Sequence, residues 1–131
     1  AQTHEGLGQR DTPAIHAFGQ QIKFLRKIGQ EKIEERSGDI ATEIIEELQK
    51  IKGVYIFTSN ERALRSAVVT FRPANLEPAK VVKALEKDGI VAANLGGEDW
   101  AGVRFSPHFY NSNSDVERAV GAIKRYLQKG L

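Results

Sequence analysis

Two helical stripes do most to limit what this chain can fold into. From Thr12 to Ile28 the apolar residues Ile15, Phe18, Ile22, Leu25 and Ile28 recur every third or fourth position, and past Gly29 the spacing resumes with Ile33, Ile40, Ile44, Leu48 and Ile51. That period predicts two consecutive helices with one apolar side each. Thr12 followed by Pro13 reads as an N-cap and first turn. Opposite the second stripe runs a dense set of charges, among them Glu31, Lys32, Glu34, Glu35, Arg36, Glu43, Glu46, Glu47 and Lys50. They read as a solvated face, because the apolar register holds beneath them.

After Gly53 the period changes. Val54 to Phe57 and Ser66 to Arg72 are rich in β-favouring residues and read as strands, the second stopped by Pro73. Asn75 is the expected cap of a helix that has Pro78 in its first turn and turns Val81, Val82 and Leu85 inward. Asp88-Gly89 reads as a turn, with further strands at Ile90 to Asn94 and Gly102 to Ser106. Ser112 with Asp115, or Ser114 with Glu117, offers a capping box for a last helix bearing Val116, Ala119, Val120, Ile123 and Leu127. The order ααββαββα predicts an α+β fold: a small, mainly antiparallel four-stranded sheet with helices packed on one face.

At 131 residues, 40% hydrophobic and 27% charged, the chain has the composition of one ordinary globular domain. A formal charge of +2 gives no reason to expect nucleic acid or a membrane surface as partner. No apolar run reaches the roughly 18 residues of a membrane span, so a soluble, cytoplasmic protein is expected. With no cysteine, disulfides and thiolate sites drop out, and with no methionine the chain reads as trimmed or cut from something longer. The three histidines, at 4, 16 and 108, repeat no metal-binding spacing. No GxSxG, GxGxxG or P-loop pattern occurs, and Gly96-Gly97 reads as a turn.

The segment Val103-Arg104-Phe105-Ser106-Pro107-His108-Phe109-Tyr110-Asn111-Ser112 stands out, between a strand and a capped helix. An arginine there can present its planar fork to a carboxylate, or can simply face water or a neighbouring acid. The stretch GVRFSPHFYNSNSDVERAVGAIKRYL resembles the C-terminal end of class V aminotransferases, pyridoxal-phosphate enzymes of fold type I. The stretch Glu5 to Ile15, with its Gly-Gln-Arg-Asp run, is similar to the segment leading from the large domain of such enzymes into their small domain, and is nearest the isopenicillin N epimerase-like branch. The resemblance covers essentially the whole chain.

It implies that residues 1–12 lead in from a missing large domain and that residues 13–131 form one small α+β domain, like the C-terminal domain of these transferases. In the family the arginine matching Arg104 binds the α-carboxylate of the amino-acid substrate, and the segment matching Gly8, Gln9 and Arg10 lies near the cofactor phosphate of the partner subunit. His108, Tyr110 and Asn111 belong to the motif and read mainly as structural, through aromatic packing and turn hydrogen bonds. Cysteine desulfurases carry a nucleophilic cysteine in the loop before the arginine strand, where this chain has Leu95-Gly96-Gly97-Glu98-Asp99-Trp100, so sulfur abstraction is not expected of it. The lysine, the acid and the phosphate cup that hold pyridoxal phosphate come, in the family, from the large domain. The expected role is therefore the small domain of a homodimeric enzyme acting on an amino acid by transamination, epimerisation or elimination, with no catalytic residue and no bound cofactor in this chain alone. Small-ligand or RNA-binding modules share the architecture and are the competing expectation, although Phe105, Phe109 and Tyr110 do not interleave with basic residues as RNA-binding strands require.

Overall fold

Four helices and one four-stranded antiparallel sheet make up the computed structural model, which describes residues 11–97 and 99–131. The elements run α1 (Thr12–Ile28), α2 (Gln30–Gln49), β1 (Val54–Ile56), a 3-10 turn (Arg62–Leu64), β2 (Val69–Pro73), α3 (Pro78–Lys87), β3 (Ala93–Leu95), β4 (Gly102–Phe105) and α4 (Asn113–Lys129). This is the α+β order expected. The described residues divide into two compact units, one ending at Lys32 and the other Ile33–Leu131.

In the first unit α1 starts one residue earlier than its sequence suggests. Asp11, not Thr12, is the N-cap: its carboxylate accepts the N–H of Ala14 at 3.0 Å, and Thr12 is already helical. No residue of α1 is buried, and Ile15, Phe18, Ile22 and Phe24 are exposed. Gly29 takes φ 99°, a conformation that costs other residues a steric penalty, and this separates α1 from α2.

In the second unit the sheet order is β1-β2-β4-β3, antiparallel at every pair. Val69, Phe71, Val103 and Phe105 alternate onto one face and meet Ile40, Ile44 and Leu48 of α2, Val81 and Leu85 of α3, and Val116, Val120 and Ile123 of α4. The Phe71 and Phe105 rings lie 5.1 Å apart across β2 and β4. Each such side chain contributes roughly 1.5–3 kcal/mol by leaving water. α4 carries the capping box: Ser112 Oγ accepts the Asp115 N–H and Asp115 returns the bond to the Ser112 N–H at 2.9 Å. At its far end the Tyr126 hydroxyl donates to Asp88 Oδ2 at 2.6 Å, and Arg125 pairs with the same oxygen at 2.7 Å.

Three local expectations give way. Asn75 does not cap α3; it occupies a turn at φ 58°, which asparagine tolerates, and the N-cap is Glu77, whose carboxylate pairs with Lys80 instead of capping. β2 begins at Val69, not Ser66, and keeps Pro73, which sits at its last position opposite Val54, where a missing N–H is tolerated. β3 begins at Ala93, not Ile90, because the Ile90 N–H is spent on the Leu85 carbonyl (2.8 Å) in closing α3.

Candidate functional site

The second face of the sheet holds the candidate site. Strand alternation places Tyr55, Thr70, Arg72, Gly102 and Arg104 opposite the core, and the register sets Arg104 between Thr70 on β2 and Ala93 on β3. One step along, Arg72 faces Tyr55 on one side and, by the same register, Gly102 on the other. Two arginines thus stand diagonally on one face, and the structure treats them differently.

Arg72 is engaged along one edge and on one face. Its Nε donates to the Ala101 carbonyl at 2.6 Å, one Nη donates to the Asp99 carbonyl at 2.7 Å, and the guanidinium lies 5.1 Å from the centre of the Phe57 ring. Phe57 also meets Tyr55 edge-on at 5.0 Å and Trp100 at 5.9 Å. Gly102 makes this packing feasible: a Cβ there would lie 2.8 Å from the Phe71 carbonyl oxygen and 3.3 Å from a Phe57 ring carbon.

Arg104 is half-buried, and among the described residues it has neither a hydrogen bond nor an ion pair; its Nε is enclosed without a partner. An enclosed N–H left unbonded is costly; the Nη groups are the part of the fork that an incoming acceptor can reach. Immediately after it the chain folds into a tight turn. Asn111 Oδ1 accepts the His108 N–H at 2.8 Å, the Asn111 N–H returns to the His108 carbonyl at 2.9 Å, and the His108 ring stacks on Tyr110 at 5.0 Å. Arg36 of α2 donates to the Asn111 carbonyl and to Asn113 Oδ1, both at 3.2 Å. These bonds fix the exit of β4. A concavity of about 560 Å3 opens beside this turn, its walls including Arg104, Ser106, Tyr110, Asn111, Asp115 and Arg118.

The profile of the aminotransferase class-V family matches residues 7–119. The chain belongs to that family. A probable cysteine desulfurase of Xylella fastidiosa is 30% identical over 125 residues, covering 86% of this chain and 29% of that protein. A probable cysteine desulfurase of Staphylococcus aureus is 28% identical over 127 residues, covering 87% of this chain and 30% of that protein. Among solved structures, a cysteine desulfurase of Thermococcus onnurineus in its apo form superposes with a TM-score of 0.75 at 24% identity, covering 84% of this chain and 29% of that one. A NifS-like protein superposes at 0.79 with 15% identity, covering 93% of this chain and 35% of that one, so the likeness there is one of fold. The chain spans less than a third of the length of the curated relatives it matches.

For a class-V aminotransferase the question is whether these residues suit pyridoxal phosphate, which needs a lysine able to lose its proton. They do not. All ten lysines are exposed, from Lys23 to Lys129. Hydrogen bonds and charge from Glu47 and Glu77 push the Lys50 and Lys80 ammonium groups above their ordinary range, which favours the form that cannot attack. Gly8, Gln9 and Arg10 lie outside the described residues. Among the described residues no group of three or more histidines and carboxylates could hold a metal ion, and no helix is long and apolar enough to cross a membrane.

Arg36 and Arg72 escaped the reading from sequence. Arg72 bonds to backbone carbonyls across a strand register, and the contact of Arg36 depends on how α2 lies against the turn; no local pattern encodes either.

Proposed function

We propose that this chain is the C-terminal small domain of a pyridoxal-phosphate-dependent enzyme acting on an amino acid, and that Arg104 is the anchor for the substrate α-carboxylate. The observation that carries the reading is the unpaired guanidinium on β4. Every other arginine described in the second unit except Arg104 has an acceptor or ion-pair partner. A carboxylate meeting the fork two-pronged gains roughly 1.5–3 kcal/mol and, more usefully, a fixed orientation of its α-carbon. Half-burial strengthens the attraction by limiting competing water.

The cofactor supplies the electron sink that makes bonds to the α-carbon labile, and it belongs with polypeptide outside this chain. What these residues do is bind and orient. The relatives are probable cysteine desulfurases, yet this chain has no cysteine to offer as a sulfur acceptor, and the loop before β4 carries Trp100 instead. Transamination, epimerisation or elimination therefore suits it better, in line with its sequence likeness to the isopenicillin N epimerase-like branch. A large cofactor domain and a second copy of the enzyme are the partners this reading requires.

The test is to express the chain in its natural reading frame and compare it with Arg104→Ala. Cofactor absorbance should be unchanged and the amino-acid concentration for half-saturation should rise about tenfold or more, the size of one lost charged pair. Unaltered half-saturation, or a reading frame with no cofactor-binding polypeptide, would overturn the proposal.

A further inference from the structure

The two arginines on the open face of the sheet have different jobs, and the second has no assigned one. Arg72 is bound to the main chain of Asp99 and Ala101, the residues through which the polypeptide enters β4, and not to any side chain. A backbone carbonyl tied to a neighbouring strand fixes the height and tilt of the segment that carries it. The tie has three supports. Nε and Nη2 donate side by side from one edge of a rigid planar fork, and two points of attachment fix the orientation of its plane. The Phe57 ring closes one side of the guanidinium at 5.1 Å. Gly102, opposite Arg72, lets β4 approach so closely that a Cβ would reach within 2.8 Å of the Phe71 carbonyl. Arg104 is two residues further along the same strand and on the same face.

We infer that Arg72 is a positioning residue: by clamping the Asp99 and Ala101 carbonyls against β2 it sets the start of β4, and through it the direction in which Arg104 presents its fork. The clamp also resolves a charge problem. Two guanidinium groups on adjacent strands repel, and two short bonds to carbonyls draw the Arg72 group toward the loop, leaving the space over Arg104 to a carboxylate. Asp99 is exposed and Ala101 half-buried, so water can take over part of the bonding of Arg72, and the loss to global stability should be small beside that of a core residue. Its loss is felt in orientation. The inference rests on the carboxylate role of Arg104, and its test separates the two.

The experiment is nuclear magnetic resonance on the 131-residue chain, following the Arg104 side-chain Nε–H signal during titration with L-alanine, for the parent and for Arg72→Ala, Arg72→Lys and Arg104→Ala. In Arg72→Ala, solvent exchange of the Arg104 Nε–H should accelerate about tenfold, a sign of local opening, and the response to L-alanine should weaken several-fold, while the unfolding midpoint stays near that of the parent. Arg72→Lys, which keeps the charge but only one bond, should fall between, and it carries the test if the alanine variant does not fold. A merely structural role would move the unfolding midpoint and leave the local exchange unchanged. If Arg104→Ala abolishes the L-alanine response but Arg72→Ala alters neither exchange nor response, the positioning role is wrong and the carboxylate role stands. If the parent chain does not respond to L-alanine, the exchange rates alone decide: faster Arg104 Nε–H exchange in Arg72→Ala supports the positioning role, unchanged exchange overturns it, and the carboxylate role is judged on the full-length enzyme.

Discussion

α1 and α4 are each seventeen residues long, each begins on a capped turn and each has basic charge in its last turn, Arg26 and Lys27 in α1 and Lys129 in α4. Their fates differ. α4 buries Val116, Ala119, Val120, Ala122, Ile123 and Tyr126, whereas α1 buries nothing and leaves Ile15 and Phe18 more than half exposed. Local signals make a helix, and they did so equally well in both; what covers an apolar stripe is decided by residues elsewhere.

The comparison can be broken most forcefully in the core. Ile123→Ala in α4 should cost about 2–5 kcal/mol in denaturant unfolding, because it empties a fully enclosed site. Phe18→Ala in α1 should change the same transition by no more than about 0.5 kcal/mol, despite removing a larger side chain. Equal losses would mean that α1 is held as firmly as α4.

The caps sharpen the contrast at a smaller scale. Ser112→Ala removes the hydroxyl arm of the capping box, leaves the backbone N–H to bond Asp115, and should cost about 1 kcal/mol of global stability. Asp11→Ala removes one bond from α1 and should lower helical circular dichroism slightly without moving the main transition.

The smallest effect is a pH dependence of the far end of α4. Burial, and then the bond to Asp88, push the Tyr126 phenol up to about 12. The unfolded chain loses this proton near pH 10, so the contribution is complete below about pH 10 and disappears as pH rises toward about 12. Asp88 behaves oppositely: the Tyr126 hydroxyl, with help from Arg125 and Arg118, holds its carboxyl below the usual range, and its contribution is lost as pH falls below about 3.8. Tyr126→Phe should flatten the alkaline limb and shallow the acid one in melts across pH, and an unchanged alkaline limb would refute the linkage.

Much of the architecture was legible because it is periodic. The stripes of α2 and α4 and the β-rich runs at Val54 and Val69 report burial directly, and the Ser112–Asp115 box is a local bond that sequence can specify. Asn75 misled because asparagine suits both a cap and a left-handed turn, and the choice was made by how the chain leaves β2. Ile90 to Ala92 looked like strand because apolar residues line a concavity as readily as a sheet. Arg104 stood out by its place between a strand and a capped helix, and the motif likeness gave it a role; that it makes no ion pair among the described residues is a fact of three dimensions. Arg72 stayed hidden because its partners are backbone carbonyls, which leave no trace in a side-chain pattern.

Gly102 has a consequence for how this sequence can vary. Every other amino acid brings a β-carbon, and the backbone oxygen of Phe71 cannot retreat without taking its ladder along. A library randomised at this codon and selected for folding should return glycine almost alone, a genetic bottleneck two residues from the guanidinium on which the proposed chemistry depends.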